Sequence, residues 1–172
     1  MNKNLKTVIV PVLMLLTPHT FVGIAIATSI PNPIISVPLS FLMHFAGDKV
    51  PHWDFYSNTK KEERLIGWRP LAVMADLVAG VAVGLTFTYY ALWVTFDTSL
   101  ALNIFLCGIA SVLPDALEGP YIFMKYEPKF LRHLTNLQRK AQFQAPLPWG
   151  ILSQVFVVLV CLLLIYNSPL SG

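Results

Sequence analysis

Between Arg69 and Asp97 the chain carries a single charged residue, Asp76, in the run PLAVMADLVAGVAVGLTFTYYALWVTF. A stretch this long and this apolar reads as a membrane-spanning helix, since a bilayer core about 30 Å thick takes about 20 helical residues to cross. The rest of the chain follows the same plan, with apolar runs broken by Pro, Asn and Gly into five candidate spans. The first opens at TPHT, where Thr17 can cap and Pro18 fits the first turn, and runs to about Ile30. The second extends from Pro33, behind an Asn32 cap, to roughly Pro51. The third opens at Arg69-Pro70 and ends near Phe96, the fourth covers roughly Ser99 to Glu118, and the fifth runs from near Pro148 to about Tyr166. The first two are short for a bilayer, so tilt or shielding by their neighbours is expected.

Composition agrees. Only 12% of the 172 residues are charged and 55% are hydrophobic, where a soluble domain carries about 25% charged residues. The expected fold is all-α: a polytopic membrane helical bundle of about five transmembrane helices, forming one integral membrane domain over residues 1–172. Cys107 and Cys161 stand alone inside apolar runs and read as core residues rather than as a disulfide or a metal site.

Charge sets the orientation. Lys3 and Lys6 precede the first span; Lys49, Lys60, Lys61, Arg64 and Arg69 lie between the second and third; Lys125, Lys129, Arg132, Arg139 and Lys140 lie between the fourth and fifth. The opposite turns and the C-terminal tail carry no basic residue. The positive-inside rule then places the N-terminus and both long loops in the cytoplasm and the C-terminus outside, in a multi-pass protein of the cell inner (plasma) membrane. Residues 125–145 form a cytoplasmic loop in which KFLRHLTNLQRK reads as an amphipathic helix on the membrane surface. Phe130, Leu134, Leu137 and Ala141 make its apolar stripe, with His133 solvated. The net charge of +3 is too small to imply nucleic acid; membrane lipids are the expected partners.

Apart from Asp97, the histidines and acids share that basic side. His19 lies in the first turn of the first span, His44 to Asp54 at the exit of the second, Asp76 just inside the third, and Asp115 and Glu118 at the exit of the fourth. Ionisable groups at such depth need partners. A hidden duplication points the same way: HTFVG is echoed by DLVAG, and DKVPHWD by SVLPDALE. Two repeated hairpins plus a C-terminal helix would make His19 and Asp76 counterparts, and His52 and Asp115 likewise, around an axis along the membrane normal.

In HFAGDKVPHWD, His44, Asp48 and His52 recur at every fourth position. At about 1.5 Å per residue the two histidines of a regular helix are roughly 12 Å apart. One ion can then use Asp48 with either histidine but not with both. Asp48 bridges two ions or the helix breaks, and Pro51, which removes its own bond to Gly47, favours the break. Imidazole with carboxylate suits a divalent metal, zinc first, with iron or manganese behind it. Such an ion implies hydrolysis, with Asp54 or Glu118 accepting the proton and Lys49 or Arg69 holding a phosphate oxygen.

HFAGDKVPH resembles the HxxxDxxxH helix of zinc-dependent phospholipases C and the related single-strand nucleases. More broadly, the histidine of TPHT and the cluster of VPHWD resemble small bacterial membrane proteins labelled as predicted membrane-bound metal-dependent hydrolases. That likeness implies a site drawn from His19, His44, Asp48, His52, Asp54, Asp76 and Asp115. It also makes Met14 a candidate start, with residues 1–13 a lead-in or extension. The expected function is a metal-dependent hydrolase acting at the inner leaflet on a phospholipid or lipid-linked phosphoester. The alternatives are a small cation- or proton-binding transporter and a non-catalytic scaffold.

Overall fold

The computed structural model describes residues 15–55, 66–123 and 128–168. The lead-in 1–13, Met14 and the loop residues Lys60, Lys61, Arg64 and Lys125 lie outside the described residues. The described residues form six helices: α1 (Leu16–Ser29), α2 (Pro33–Gly47), α3 (Arg69–Trp93), α4 (Thr98–Phe123), α5 (Lys129–Ala141) and α6 (Trp149–Tyr166). The described residues contain no strand, only an isolated parallel bridge between His52 and Gln144.

Among the described residues three helices, α3, α4 and α6, are long and apolar enough to cross a membrane. This corrects the expectation of five. With 14 and 15 residues, α1 and α2 reach only about 21 and 23 Å at 1.5 Å per residue, short of a hydrocarbon core about 30 Å thick. The interior of the bundle takes α1 instead, which packs against α2, α3, α4 and α6. Pro18, His19, Thr20, Gly23, Ile24, Ala25, Ala27 and Thr28 are all buried along it. By contrast only Gly80 and Ala91 of α3 are buried.

Local signals set the helix ends. The Asn32 side chain accepts from the Ile34 amide at 3.0 Å, with Pro33 behind it at the first helical position. At the other end α2 stops at Gly47, earlier than the expected Pro51, and Asp48 onwards leaves the helix. The start of α1 is capped from outside. Leu15 offers no side-chain cap; the Asp76 carboxylate of α3 accepts from the Leu16 amide (2.6 Å), the Thr17 amide (3.3 Å) and the Thr17 hydroxyl (2.7 Å). An anion at a helix N-terminus satisfies amides that have no partner within the helix.

The crossing of α1 and α4 is close. A Cβ on Gly23 would lie 2.6 Å from the Cys107 carbonyl oxygen and 2.7 Å from the Ser111 hydroxyl, so only glycine fits. Below that crossing Ile24, Ala27, Ile104, Cys107, Cys161 and Ile165 form the apolar core, and both cysteines are free and buried. Asn103 of α4 ties the far ends of α1 and α2 together. Its amide nitrogen donates to the Ala27 and Ile30 carbonyls (3.0 and 2.9 Å), and its oxygen accepts from Ser36 at 2.6 Å.

The amphipathic α5 packs one face against the bundle. Among its described side chains Leu131, Leu134, Thr135 and Gln138 are buried, while Phe130 and Leu137 are exposed. Their spacing describes one helical face, and that face docks on α4 and α2. His133 is exposed, as expected.

Candidate metal centre

Two helix ends bring the first ligands together. His19 lies in the first turn of α1, held by the Asp76 cap, and His44 lies in the last turn of α2. Their rings stack with centroids 4.1 Å apart at an angle of 29°. Because α2 ends at Gly47, the Asp48 carboxylate turns back toward both rings. One oxygen lies 3.3 Å from His19 Nε2 and the other 3.5 Å from His44 Nε2. His19 is 1% exposed, His44 and Asp48 not at all. One ligand atom from each of the three lies within 4.8 Å of the others, so the group could hold a metal ion.

The tautomer of His44 follows from its surroundings. Its Nδ1 lies 2.8 Å from the Ser111 carbonyl oxygen. A carbonyl only accepts, so Nδ1 carries the proton, and in the neutral ring the lone pair of Nε2 faces the cluster. That lone pair meets a carboxylate oxygen of Asp48 and, at 3.4 Å, one of Asp115. Such a contact is repulsive unless a cation, metal or proton, lies between. The Nε2 of His19 and both oxygens of Asp48 are buried without a hydrogen-bond partner. Buried polar atoms are rarely left so. Burial pushes the Asp48 carboxyl above its ordinary value, and the nearby His44 and His52 oppose that shift.

Around this group lies a layer of orienting contacts. Gln138 of α5 donates from its amide nitrogen to Asp115 at 2.8 Å and comes within 3.4 Å of His44 Nε2. His52 is buried beside the cluster on non-helical backbone, in keeping with the break expected at Pro51. Its Nδ1 lies 2.8 Å from the Val50 carbonyl oxygen, which leaves Nε2 as a buried lone pair with no hydrogen-bond partner. The chain from Asp48 to Trp53 is stitched to the segment that joins α5 to α6. The Phe143 amide donates to the Asp48 carbonyl (3.0 Å), the His52 amide to Phe143 (3.1 Å) and the Ala145 amide to His52 (2.8 Å). Ser153 and Gln154 of α6 donate to the Pro51 and Trp53 carbonyls. Gly150 permits the approach, since a Cβ there would lie 2.5 Å from the Trp53 nitrogen.

The structure thus joins His19, His44, Asp48 and Asp115 by direct contacts. Asp54 and Glu118 are buried, the one two residues after His52, the other one turn beyond Asp115. Asp76, expected as a ligand, has the start of α1 on its carboxylate instead. The pairing of His19 with Asp76 as repeat counterparts therefore does not carry over into like roles. Lys49 is exposed, and the Arg69 guanidinium lies 5.6 Å from the Trp68 ring centroid. Among the described residues neither makes a hydrogen bond or ion pair to the cluster. Gln138 and Thr135 escape a search of the sequence for ionisable groups. The signal that finds them is the 131, 134, 135, 138 face, two of whose four residues are polar. No protein-family model, curated protein or solved structure matches the chain.

Proposed function

We propose that the chain is a membrane-embedded, metal-dependent hydrolase with zinc as its metal, acting at the inner leaflet on a phospholipid or another lipid-linked phosphoester. The observation that carries this reading is the convergence of His19, His44 and Asp48, fully buried, with His19 Nε2 and both Asp48 oxygens left without a hydrogen-bond partner. The donor set fits the ion. Ligands on a tetrahedral zinc at about 2.0–2.1 Å are about 3.3 Å from one another, and the imidazole–carboxylate separations are 3.3, 3.4 and 3.5 Å. His19, His44 and Asp48 would hold the metal, with Asp115 as a fourth protein ligand or as an orienting partner. A zinc ion there supplies a Lewis acid for a phosphoryl oxygen and activates water near neutral pH.

The chain's own groups do the rest. Asp54 and Glu118 are the carboxylates for accepting and returning the proton, and the basic loop residues Lys49 and Arg69 draw an anionic headgroup to this end of the bundle. Ser111 holds the His44 lone pair toward the cluster, the outer-layer contact that metal-binding histidines ordinarily make.

Metal analysis of the purified full chain, paired with turnover of bis(4-nitrophenyl) phosphate, tests the reading. Stoichiometric zinc with turnover, both lost in His44→Ala, is the expected result. Bound metal with flux into liposomes and no turnover would make the chain a transporter, and absence of both would leave a scaffold.

A further inference from the structure

An apolar cavity of about 110 Å³ opens between α1, α3 and α4. Its walls are recessed by glycine, with Gly80 and Gly84 on α3 and Gly108 on α4, while Leu16 and Thr20 of α1 close its floor. Val81, Phe105 and Ile109 flank it and are about half exposed, so it opens sideways rather than into the bundle. Along α3 the lining runs from Leu77 to Leu85, roughly 12 Å of helix. Both α3 and α4 have the length and hydropathy to cross a membrane. At that depth a dry, laterally open groove faces the hydrocarbon of lipid chains, and a concave wall gives a chain more close contacts than a flat helix face does.

One end of the groove adjoins the candidate metal centre. Thr20 follows His19, which contacts Asp48, and Val112 at the head of the groove stands one turn before Asp115. A chain lying in the groove therefore ends within about one helical turn, roughly 5 Å along the axis, of the residues that would hold the metal. A larger crevice between α3 and α6, lined by Phe87, Tyr90, Leu163 and Tyr166, lies at the opposite end of the bundle.

We propose that the groove formed by Gly80, Gly84 and Gly108 binds one acyl chain of a diacyl phospholipid and so positions its phosphate at the His19–His44–Asp48 centre. The positioning rests on the hydrolase reading; the occupancy of the groove does not.

Gly108 offers a clean test. A Cβ there meets nothing within 4 Å, and one on Gly84 meets Thr20 Cγ2 at an ordinary 3.5 Å. Gly108→Leu and Gly84→Leu therefore fill the groove from two separate walls without forcing the backbone. The full-length protein is placed in phosphatidylethanolamine vesicles doped with phosphatidylglycerol that carries a diazirine in one acyl chain. It is photolysed, and the adducts are mapped by peptide mass spectrometry. The expected adducts fall within 77–85 and 104–112, drop roughly fivefold or more in each variant, and leave zinc content unchanged. Labelling spread evenly over α6, labelling unchanged in both variants, or labelling by a free diazirine fatty acid but not by the phospholipid would each overturn the proposal. Groove labelling in a wild-type protein that turns over no phosphodiester defeats the hydrolase reading and leaves the groove standing. Turnover with diffuse labelling defeats the groove alone.

Discussion

Asn103 and His44 are equally buried, at 1% and 0% exposure, yet their surroundings are opposite. Around Asn103, the oxygen accepts from Ser36 and the nitrogen donates to two carbonyls left over at the end of α1. The polar atoms answer one another, and the result is a knot that holds three helices. Around His44, by contrast, His19 Nε2 and both Asp48 oxygens lack any hydrogen-bond partner. A buried polar group that is satisfied stabilises, whereas an unsatisfied one disfavours the fold by about 1–3 kcal/mol unless something binds it. The two ends of one bundle thus separate structure from function by their hydrogen bonds and not by their polarity.

Substitutions should widen or collapse that contrast. The largest effect is expected from Asp48→Ala or His44→Ala, which remove a ligand. Metal affinity should fall more than about a hundredfold, beyond the range of outer-layer changes, as read by competition with a chromophoric chelator. A change below tenfold would place the ion elsewhere. Next comes Gln138→Ala, which takes the donor from Asp115; a loss of about 10- to 100-fold in metal affinity is expected with helix content unaltered by circular dichroism. Asn103→Leu should leave metal binding intact and lower stability by about 1–2 kcal/mol in reversible unfolding from mixed micelles, near the upper end for hydrogen bonds inside a bilayer. Loss of metal there would show that the two ends are coupled. The smallest effect belongs to Asp76→Ala, which uncaps α1 and should remove about 1 kcal/mol without touching metal content. A metal deficit as deep as that of His44→Ala would return Asp76 to the site.

Much of this was legible along the chain. The Asn32 cap, the opening of α3 at Arg69 and the arrival of His19, His44, Asp48 and Asp115 at one end follow from hydropathy and spacing. So does the interruption of α2 near Pro51, although the helix yields already at Gly47. Span count was less legible, because hydropathy responds equally to lipid and to protein interior: α1 is apolar because α2, α3, α4 and α6 enclose it. Gln138 was invisible for a different reason. It carries no charge, and it sits in a basic surface-like helix whose apparent stripe splits, with Leu134 buried and Phe130 and Leu137 exposed.

The sequence alone determined that this chain is an apolar helical protein whose ionisable groups gather on its basic side, since hydropathy, charge bias and helix caps are properties of neighbouring residues. Only the tertiary structure decided which of those groups have partners. Asp76 and Asp48 are both aspartates at helix ends, but one meets the amides of a helix sixty residues away and the other meets two imidazoles. Whether a carboxylate caps a helix or awaits a cation depends on what faces it across the fold, and contacts as distant along the chain as His44 with Gln138 leave no local trace.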